Sequence, residues 1–150
     1  MKYLLSIVTI LAFATIAYAA KPNIKAIEQE VLERINAYRL EQGLQPLVLN
    51  STVSEIARKH SANMASGKVA FGHDGFLKRD EKIRAKLVGI LKTGENVAWG
   101  KNVTVQRIVE DWIASPHHHE NIVEPNYRET GIGVAVARNG RIYYTQLFVF

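Results

Sequence analysis

The chain has no cysteine among its 150 residues, and that absence excludes several classes of protein. Without cysteine there is no disulfide framework, no thiol nucleophile, no pair of metal-binding thiolates and no lipid attached through an N-terminal cysteine. The sequence also lacks a Gly-x-Ser-x-Gly nucleophile elbow, a Gly-rich phosphate loop and a nucleotide-binding fingerprint. A domain of this length buries enough apolar surface to fold without disulfide bonds, so the sequence is consistent with one ordinary domain.

Long apolar runs are confined to the start of the chain. Lys2 precedes the apolar segment 4–16, and Ala17-Tyr18-Ala19 has the small-x-small pattern of a cleavage site. This pattern predicts a signal peptide over residues 1–19, with a retained membrane anchor as the competing interpretation. No later segment is long and apolar enough to span a bilayer. We therefore expect a secreted or periplasmic protein with no transmembrane segment after removal of the signal peptide.

The chain also has only a small excess of positive over negative charge. Removal of the signal peptide takes Lys2 with it and leaves 18 basic against 14 acidic side chains, a net charge of +4. The basic residues are spread along the sequence, which favours loose attraction to anionic envelope polymers or membranes. The excess is too small and too diffuse to indicate a nucleic-acid partner.

Apolar residues at helical spacing predict helices through most of the chain. Asn50-Ser51 is a typical helix start, and Gly43 and Gly67 are typical C-terminal stops. The predicted helices lie between residue 24 and Gly43, between Asn50-Ser51 and Gly67, over the charged segment 76–90, and through the apolar-periodic run 105–113.

The end of the chain has strand character instead. Residues 129–137 alternate apolar and small side chains, and residues 141–150 are rich in aromatic and β-branched residues. Asn139-Gly140 between them predicts a type I′ hairpin turn. Residues 92–100 are predicted as a turn that leads into a short apolar segment. Helices followed by an antiparallel hairpin indicate an α+β fold with helices packed on a sheet.

Three of the five histidines are adjacent, at positions 117–119 directly after Ser115-Pro116. Ser-Pro predicts a helix start, with the serine hydroxyl as N-cap and proline in the first helical position. Successive side chains on a helix turn by roughly 100°, so we expect one of the three imidazoles to face inward toward a partner from elsewhere in the chain.

Two further features supply such a partner. His73 lies in a Gly-flanked loop between two aromatic residues, where glycines allow the backbone to aim a side chain. Glu95 precedes an apolar run and is a candidate for burial. His60 shares the apolar stripe of its helix and is predicted to be a core histidine bonded to a backbone carbonyl.

Five short motifs then occur in an order that resembles a known family. They are Gly72-His73, Gly94-Glu95-Asn96-Val97-Ala98-Trp99, the segment 112–123, Thr130-Gly131-Ile132-Gly133-Val134 and Tyr144-Thr145-Gln146-Leu147-Phe148. Together they resemble the CAP superfamily of SCP domains, which includes cysteine-rich secretory proteins, venom allergens and plant pathogenesis-related proteins. The likeness is to the short, cysteine-free bacterial branch. It runs from about Ile27 to Phe148 and places one domain over residues 24–150.

The resemblance implies a three-layer α-β-α sandwich with a central antiparallel sheet. It also implies a cleft in which His73 takes the first histidine position, Glu95 the acidic position and His118 the second histidine position. The register of His118 depends on Ser115-Pro116 before it and Asn121 after it. Many eukaryotic members carry a second glutamate where this chain has Ser115, so three cleft residues are carried over rather than four.

Two imidazoles and a carboxylate match the ligand set of an open zinc site with water in the fourth position. The cleft formed by His73, Glu95 and His118 is therefore expected to bind a divalent metal such as zinc, or another ligand, at the cell envelope or outside. A rigid polar network without a ligand, a metal-dependent hydrolase and a protein-interaction module stay open as alternatives. The partner expected is a small molecule, a lipid or an extracellular protein.

Overall fold

The computed structural model describes residues 22–150, so the predicted signal peptide over residues 1–19 lies outside the described residues. Five helices and four strands are found there: α1 Ile24–Glu41, β1 Val48–Leu49, α2 Ser51–Ala65, α3 Phe76–Lys86, β2 Thr93–Gly100, α4 Val105–Ala114, α5 Pro116–Ile122, β3 Glu129–Val136 and β4 Ile142–Val149. None of the helices among residues 22–150 is long and apolar enough to cross a membrane.

The helix boundaries follow from capping residues that the sequence displays. The Asn23 side chain accepts a hydrogen bond from the Ala26 amide at the start of α1, and Asn50 caps α2 in the same way. Gly43 and Gly67 follow α1 and α2 with φ values of +73° and +72°, a conformation that favours glycine. The predicted ends of these two helices are therefore confirmed.

The strands form one sheet in the order β1-β3-β4-β2. The β2–β4 and β3–β4 pairs are antiparallel, and the two-residue β1 adds a parallel pair with β3 at one edge. Helices cover both faces of the sheet. Alternate side chains of the inner strand β4 point to opposite faces, so each set packs against a different group of helices. Tyr144 and Phe148 pack with α1, α4 and α5, whereas Leu147 and Val149 pack with α2 and α3. The predicted α+β fold with three layers is confirmed.

Two element predictions need correction. The third helix ends at Lys86 rather than at residue 90, because Leu87 adopts an extended backbone with φ −123° and ψ 133°. Residues 93–100 form a full strand rather than a turn, since each pairs with a residue of β4. Cross-strand pairing outweighs the turn tendency of Gly94 in this segment.

The β3–β4 hairpin is present, but the predicted type I′ turn is wrong. A type I′ turn needs positive φ at both central residues, and Asn139 has none, whereas Gly140 has φ +81°. The Gly140 amide donates to the Ala137 carbonyl at 3.0 Å, and the Ala137 amide donates to the Arg141 carbonyl at 2.8 Å. Residues 138–140 therefore form a three-residue loop, a type I turn followed by a bulge at the glycine.

Candidate functional site

Glu95 lies on the edge strand β2 and is the most deeply buried charge of the site, with a side-chain exposure of 2%. Its carboxylate receives both arms of the Arg79 guanidinium: Nε donates to Oε2 at 2.5 Å and Nη2 donates to Oε1 at 2.7 Å. Such a bidentate pair is among the stronger charge-assisted contacts in proteins. The pair therefore fixes the orientation of the carboxylate.

Arg79 also fixes the loop that precedes its helix. Its Nη1 donates to the Asp74 carbonyl at 2.9 Å and its Nη2 donates to the His73 carbonyl at 3.2 Å. Gly75, with φ +77°, turns the chain from this loop into α3. One buried side chain thus links α3, β2 and the histidine loop.

His73 completes the cluster on this side of the sheet. Its Nδ1 lies 2.9 Å from Glu95 Oε1, which accepts the Nδ1 proton. In the neutral tautomer that donates from Nδ1, an imidazole has a free lone pair on Nε2. The His73 side chain is 52% exposed, so one side of the ring is open to solvent.

The second histidine comes from the opposite helical layer, on the short helix α5. Pro116 occupies the first helical position as predicted, but the Ser115 side chain makes no capping hydrogen bond. Ser115 is thus the N-cap residue as predicted, but the predicted role of its hydroxyl is wrong. Its carbonyl accepts the first helical hydrogen bond, from the His119 amide at 2.8 Å. His118 is half-buried, and its ring centroid lies 6.5 Å from those of both His73 and Trp112.

Two asparagines attach α5 to the edge strand. Asn96 Nδ2 donates to the His118 carbonyl at 3.0 Å, and Asn121 Nδ2 donates to Asn96 Oδ1 at 2.9 Å. The Asn121 amide also lies 3.3 Å from the Glu95 carbonyl. Glu95 and Asn96 are adjacent on a strand and point to opposite faces, so one dipeptide positions the histidines of both layers.

The two site histidines differ in their surroundings. Burial, together with the nearby imidazoles of His73 and His117, lowers the pKa of His118 below its ordinary value of 6.5. His118 is therefore neutral at pH 7 and can accept or ligate through an unprotonated nitrogen. The cleft accordingly presents two imidazole edges beside the buried ion pair of Arg79 and Glu95.

The other three histidines have different neighbours. His117 is exposed, and His119 Nε2 lies 2.9 Å from the Tyr38 hydroxyl, so the triplet points in three directions. His60 is buried, and its Nε2 lies 2.9 Å from the Gly72 carbonyl, as predicted for a core histidine. Burial lowers the pKa of His60 as well.

The structure thus brings His73 and Glu95 into direct contact and places His118 across from them. Over residues 22–150 there is no group of three or more His, Cys, Asp or Glu side chains arranged to hold a metal ion. The Arg79 guanidinium moreover binds both oxygens of the carboxylate that the sequence suggested as a third ligand. Sequence reasoning missed Arg79. Its signal was its position four residues before Ile83 on the buried stripe of α3.

The fold and the sequence both match known proteins. The model of the cysteine-rich secretory protein family, CAP, matches residues 32–148. The uncharacterized protein YkwD of Bacillus subtilis is 38% identical over 133 residues, which are 87% of this chain and 50% of that protein. The chain spans half or less of the curated relatives that it matches.

Two solved structures share the fold at low sequence identity. An extracellular SCP-domain protein of Bacillus anthracis superposes with a TM-score of 0.69 at 22% identity, over 84% of this chain and 41% of that one. NaASP2, whose crystal structure was determined with Zn²⁺, superposes with a TM-score of 0.63 at 12% identity, over 86% of this chain and 83% of that one. Because the family model matches residues 32–148, most of the chain, this chain belongs to the cysteine-rich secretory protein (CAP) family.

Proposed function

We propose that this protein is exported and that its cleft binds a divalent transition metal through His73 and His118. The observation that carries the proposal is the 2.9 Å contact between His73 Nδ1 and the buried Glu95 carboxylate. Metal-ligating histidines commonly donate one ring N–H to a carboxylate, which fixes the tautomer and makes the other nitrogen a better ligand. Glu95 is then a positioning residue rather than a ligand.

The distances allow this assignment after a small movement. Two imidazoles that ligate one zinc ion at about 2.0–2.1 Å in tetrahedral geometry have ring centroids roughly 5 Å apart. The His73 and His118 centroids are 6.5 Å apart, so the rings must approach each other by roughly 1–2 Å. His73 can supply that movement, because its side chain is half-exposed and lies on a loop.

Two protein ligands make a weak, open site, with water in the remaining positions. A bound metal of this kind supplies Lewis acidity and lowers the pKa of coordinated water. The residues of this chain supply orientation: Arg79 holds Glu95, Glu95 holds His73, and Asn96 holds the backbone of His118. The relative NaASP2 was crystallised with Zn²⁺, which supports zinc as the first metal to test.

Export is supported by the signal-like pattern of residues 1–19 and by the extracellular SCP-domain protein of Bacillus anthracis that shares the fold. In an exported protein, the cleft would bind a metal ion from the envelope or the extracellular medium. A cell that secretes this protein should therefore release a form that begins near residue 20, which N-terminal sequencing of the secreted product would identify.

Calorimetric titration of the chain lacking residues 1–19 with zinc tests the metal site. We expect one-to-one binding that His73→Ala and His118→Ala each weaken by at least about tenfold, since each removes a ligand. Glu95→Gln should weaken binding by about 10–100-fold through loss of the orienting carboxylate. The matched control is His117→Ala, which removes an exposed imidazole one residue from His118.

All variants must first show the far-UV circular dichroism of the parent. Zinc binding that is equally sensitive to His117→Ala and His118→Ala would contradict the assignment, because it would mean that zinc is captured by the exposed triplet. Absence of saturable binding would leave the Arg79, Glu95 and His73 cluster as a structural polar network. If the site is established, hydrolysis of envelope substrates is the next activity to screen.

A further inference from the structure

An open groove of about 510 Å³ separates α2 from α3. It lies next to the histidine loop, and Arg79 lines it, whereas His73 and Glu95 do not. Four exposed lysines line it: Lys59 from α2 and Lys78, Lys82 and Lys86 from α3. Along the sequence, the basic residues are spread out. Packing of α2 against α3 instead brings four positive charges, which are up to 27 residues apart in the chain, to one groove.

The spacing of the α3 lysines determines the kind of ligand that they fit. Lys78, Lys82 and Lys86 follow each other at intervals of four residues, so they share one face of the helix. With a rise of about 1.5 Å per residue, their stems are about 6 Å apart and together span about 12 Å. Three charges over this length match a ligand with several anionic groups in a row rather than a single small anion.

These lysines have no carboxylate partners within the part of the chain that the structure describes. None of the ion pairs within 4.0 Å among residues 22–150 includes any of the four. Like charges at this helical spacing repel and destabilise the helix. The groove also contains Glu55 and Asp74, so its four lysines outnumber its free carboxylates by two.

The chemistry of the cations favours phosphate over carboxylate. Lysine is a common phosphate ligand that binds as a point charge, whereas bidentate recognition, of planar carboxylates as well as of phosphates, needs the fork of arginine. The one arginine that lines the groove, Arg79, has its fork occupied by Glu95. Ile56 and Val69 provide apolar surface at which the uncharged spacer of a polymer can lie.

We propose that the groove between α2 and α3 binds a linear polymer of phosphate groups through Lys59, Lys78, Lys82 and Lys86. Such a ligand would hold the protein at an anionic polymer of the envelope and place the adjacent cleft beside it. The four lysines are not part of the proposed metal site, since none of them forms a hydrogen bond or an ion pair with His73, Glu95 or His118.

The proposal is tested with fluorescently labelled inorganic polyphosphate and the chain lacking residues 1–19. Binding is measured by fluorescence anisotropy at several salt concentrations. The groove variant combines Lys78→Gln, Lys82→Gln and Lys86→Gln. We expect about fivefold weaker binding per lysine, and so about 100-fold for the three together. The dependence of the binding constant on salt should also become shallower, because fewer counterions are released.

The matched control removes three positive charges elsewhere, with Lys25→Gln, Lys101→Gln and Arg138→Gln, all exposed and outside the groove. It should keep polyphosphate affinity within about threefold, since the remaining effect is screened at a distance. Equal losses in the two triple variants would overturn the proposal and indicate non-specific attraction.

Two further outcomes would also overturn it: equal affinity for polyglutamate of the same charge density, and binding only to phosphatidylglycerol vesicles. Circular dichroism checks that both triple variants are folded, and these surface substitutions remove no buried contact. Zinc titration of the groove variant should match that of the parent, so failure of the metal site and failure of the groove are distinguishable.

Discussion

Replacement of Arg79 by methionine tests the contact on which the whole site depends. Arg79→Met keeps an unbranched apolar stem and removes the guanidinium from a carboxylate that is only 2% exposed. Removal of one partner of a buried ion pair costs about 3–5 kcal/mol, because the remaining charge stays buried without compensation. The lost bonds to the His73 and Asp74 carbonyls add less than about 1 kcal/mol each, since water can reach this loop.

The expected loss of about 3–5 kcal/mol is a large fraction of the total stability of a domain, about 5–15 kcal/mol. Urea denaturation followed by tryptophan fluorescence gives the free energy of unfolding directly. For a domain of this size, each kcal/mol lowers Tm by roughly 4 °C, so Tm should fall by about 12–20 °C.

Arg107→Met is the matched control. It makes the same chemical change in a helix, but Arg107 pairs with Asp111 on the surface with a side-chain exposure of 65%. Exposed pairs of this type contribute about 0.5 kcal/mol or less. If Arg79→Met costs no more than Arg107→Met, the buried pair is not the element that stabilises the site, and the reasoning fails.

A double variant separates the ion pair from the loop contacts. Glu95→Gln in the Arg79→Met background removes the uncompensated charge, so it should be less destabilising than the sum of the single changes. We expect a coupling energy of about 2 kcal/mol between the two positions. Additive losses would show that Arg79 acts through the loop carbonyls alone.

Three further predictions follow from contacts outside the pair. Gly133→Ala should cost about 3 kcal/mol in urea denaturation, because a Cβ there would overlap the backbone of α2 at Ala57 and Arg58. Trp112→Phe should cost about 1–3 kcal/mol by leaving the Val97 carbonyl without the indole N–H at 3.1 Å, again read from urea denaturation. The pKa of His60 is lowered in the folded state, so the unfolded state binds a proton first as the pH falls below 6.5. The protein therefore loses stability on acidification. The slope of the free energy of unfolding against pH, between pH 6.5 and pH 5, should be shallower in His60→Gln. A Gly133→Ala variant as stable as the parent, an unchanged Trp112→Phe or an unchanged slope would each contradict the corresponding contact.

The parts of this protein that the sequence determined are those governed by neighbours within one or two turns of chain. The helix ends at Gly43 and Gly67 and the cap at Asn50 follow from local backbone chemistry, and the structure has them where the pattern predicts. The buried role of His60 also follows from periodicity along a single helix.

Local chemistry was insufficient where distant residues compete for the same backbone. Gly94 favours a turn in isolation, but pairing with Phe148 places it in a strand. The Asn139-Gly140 pair signals a two-residue turn, yet the register of β3 against β4 closes the loop one residue longer. In both cases the backbone hydrogen bonds between strands stabilise the observed conformation more than the local turn preference stabilises the alternative.

The candidate site shows the same division. The sequence selected His73, Glu95 and His118 by motif, but the contact of Glu95 with Arg79, 16 residues away, depends on how α3 packs against β2. In the function that we propose, that contact makes Glu95 a positioning residue rather than a ligand. The lysine groove likewise exists only because α2 and α3 pack side by side. Short-range steric and capping preferences can be read along the chain, whereas the partners of buried charges are decided by packing, which brings together groups that the sequence keeps apart.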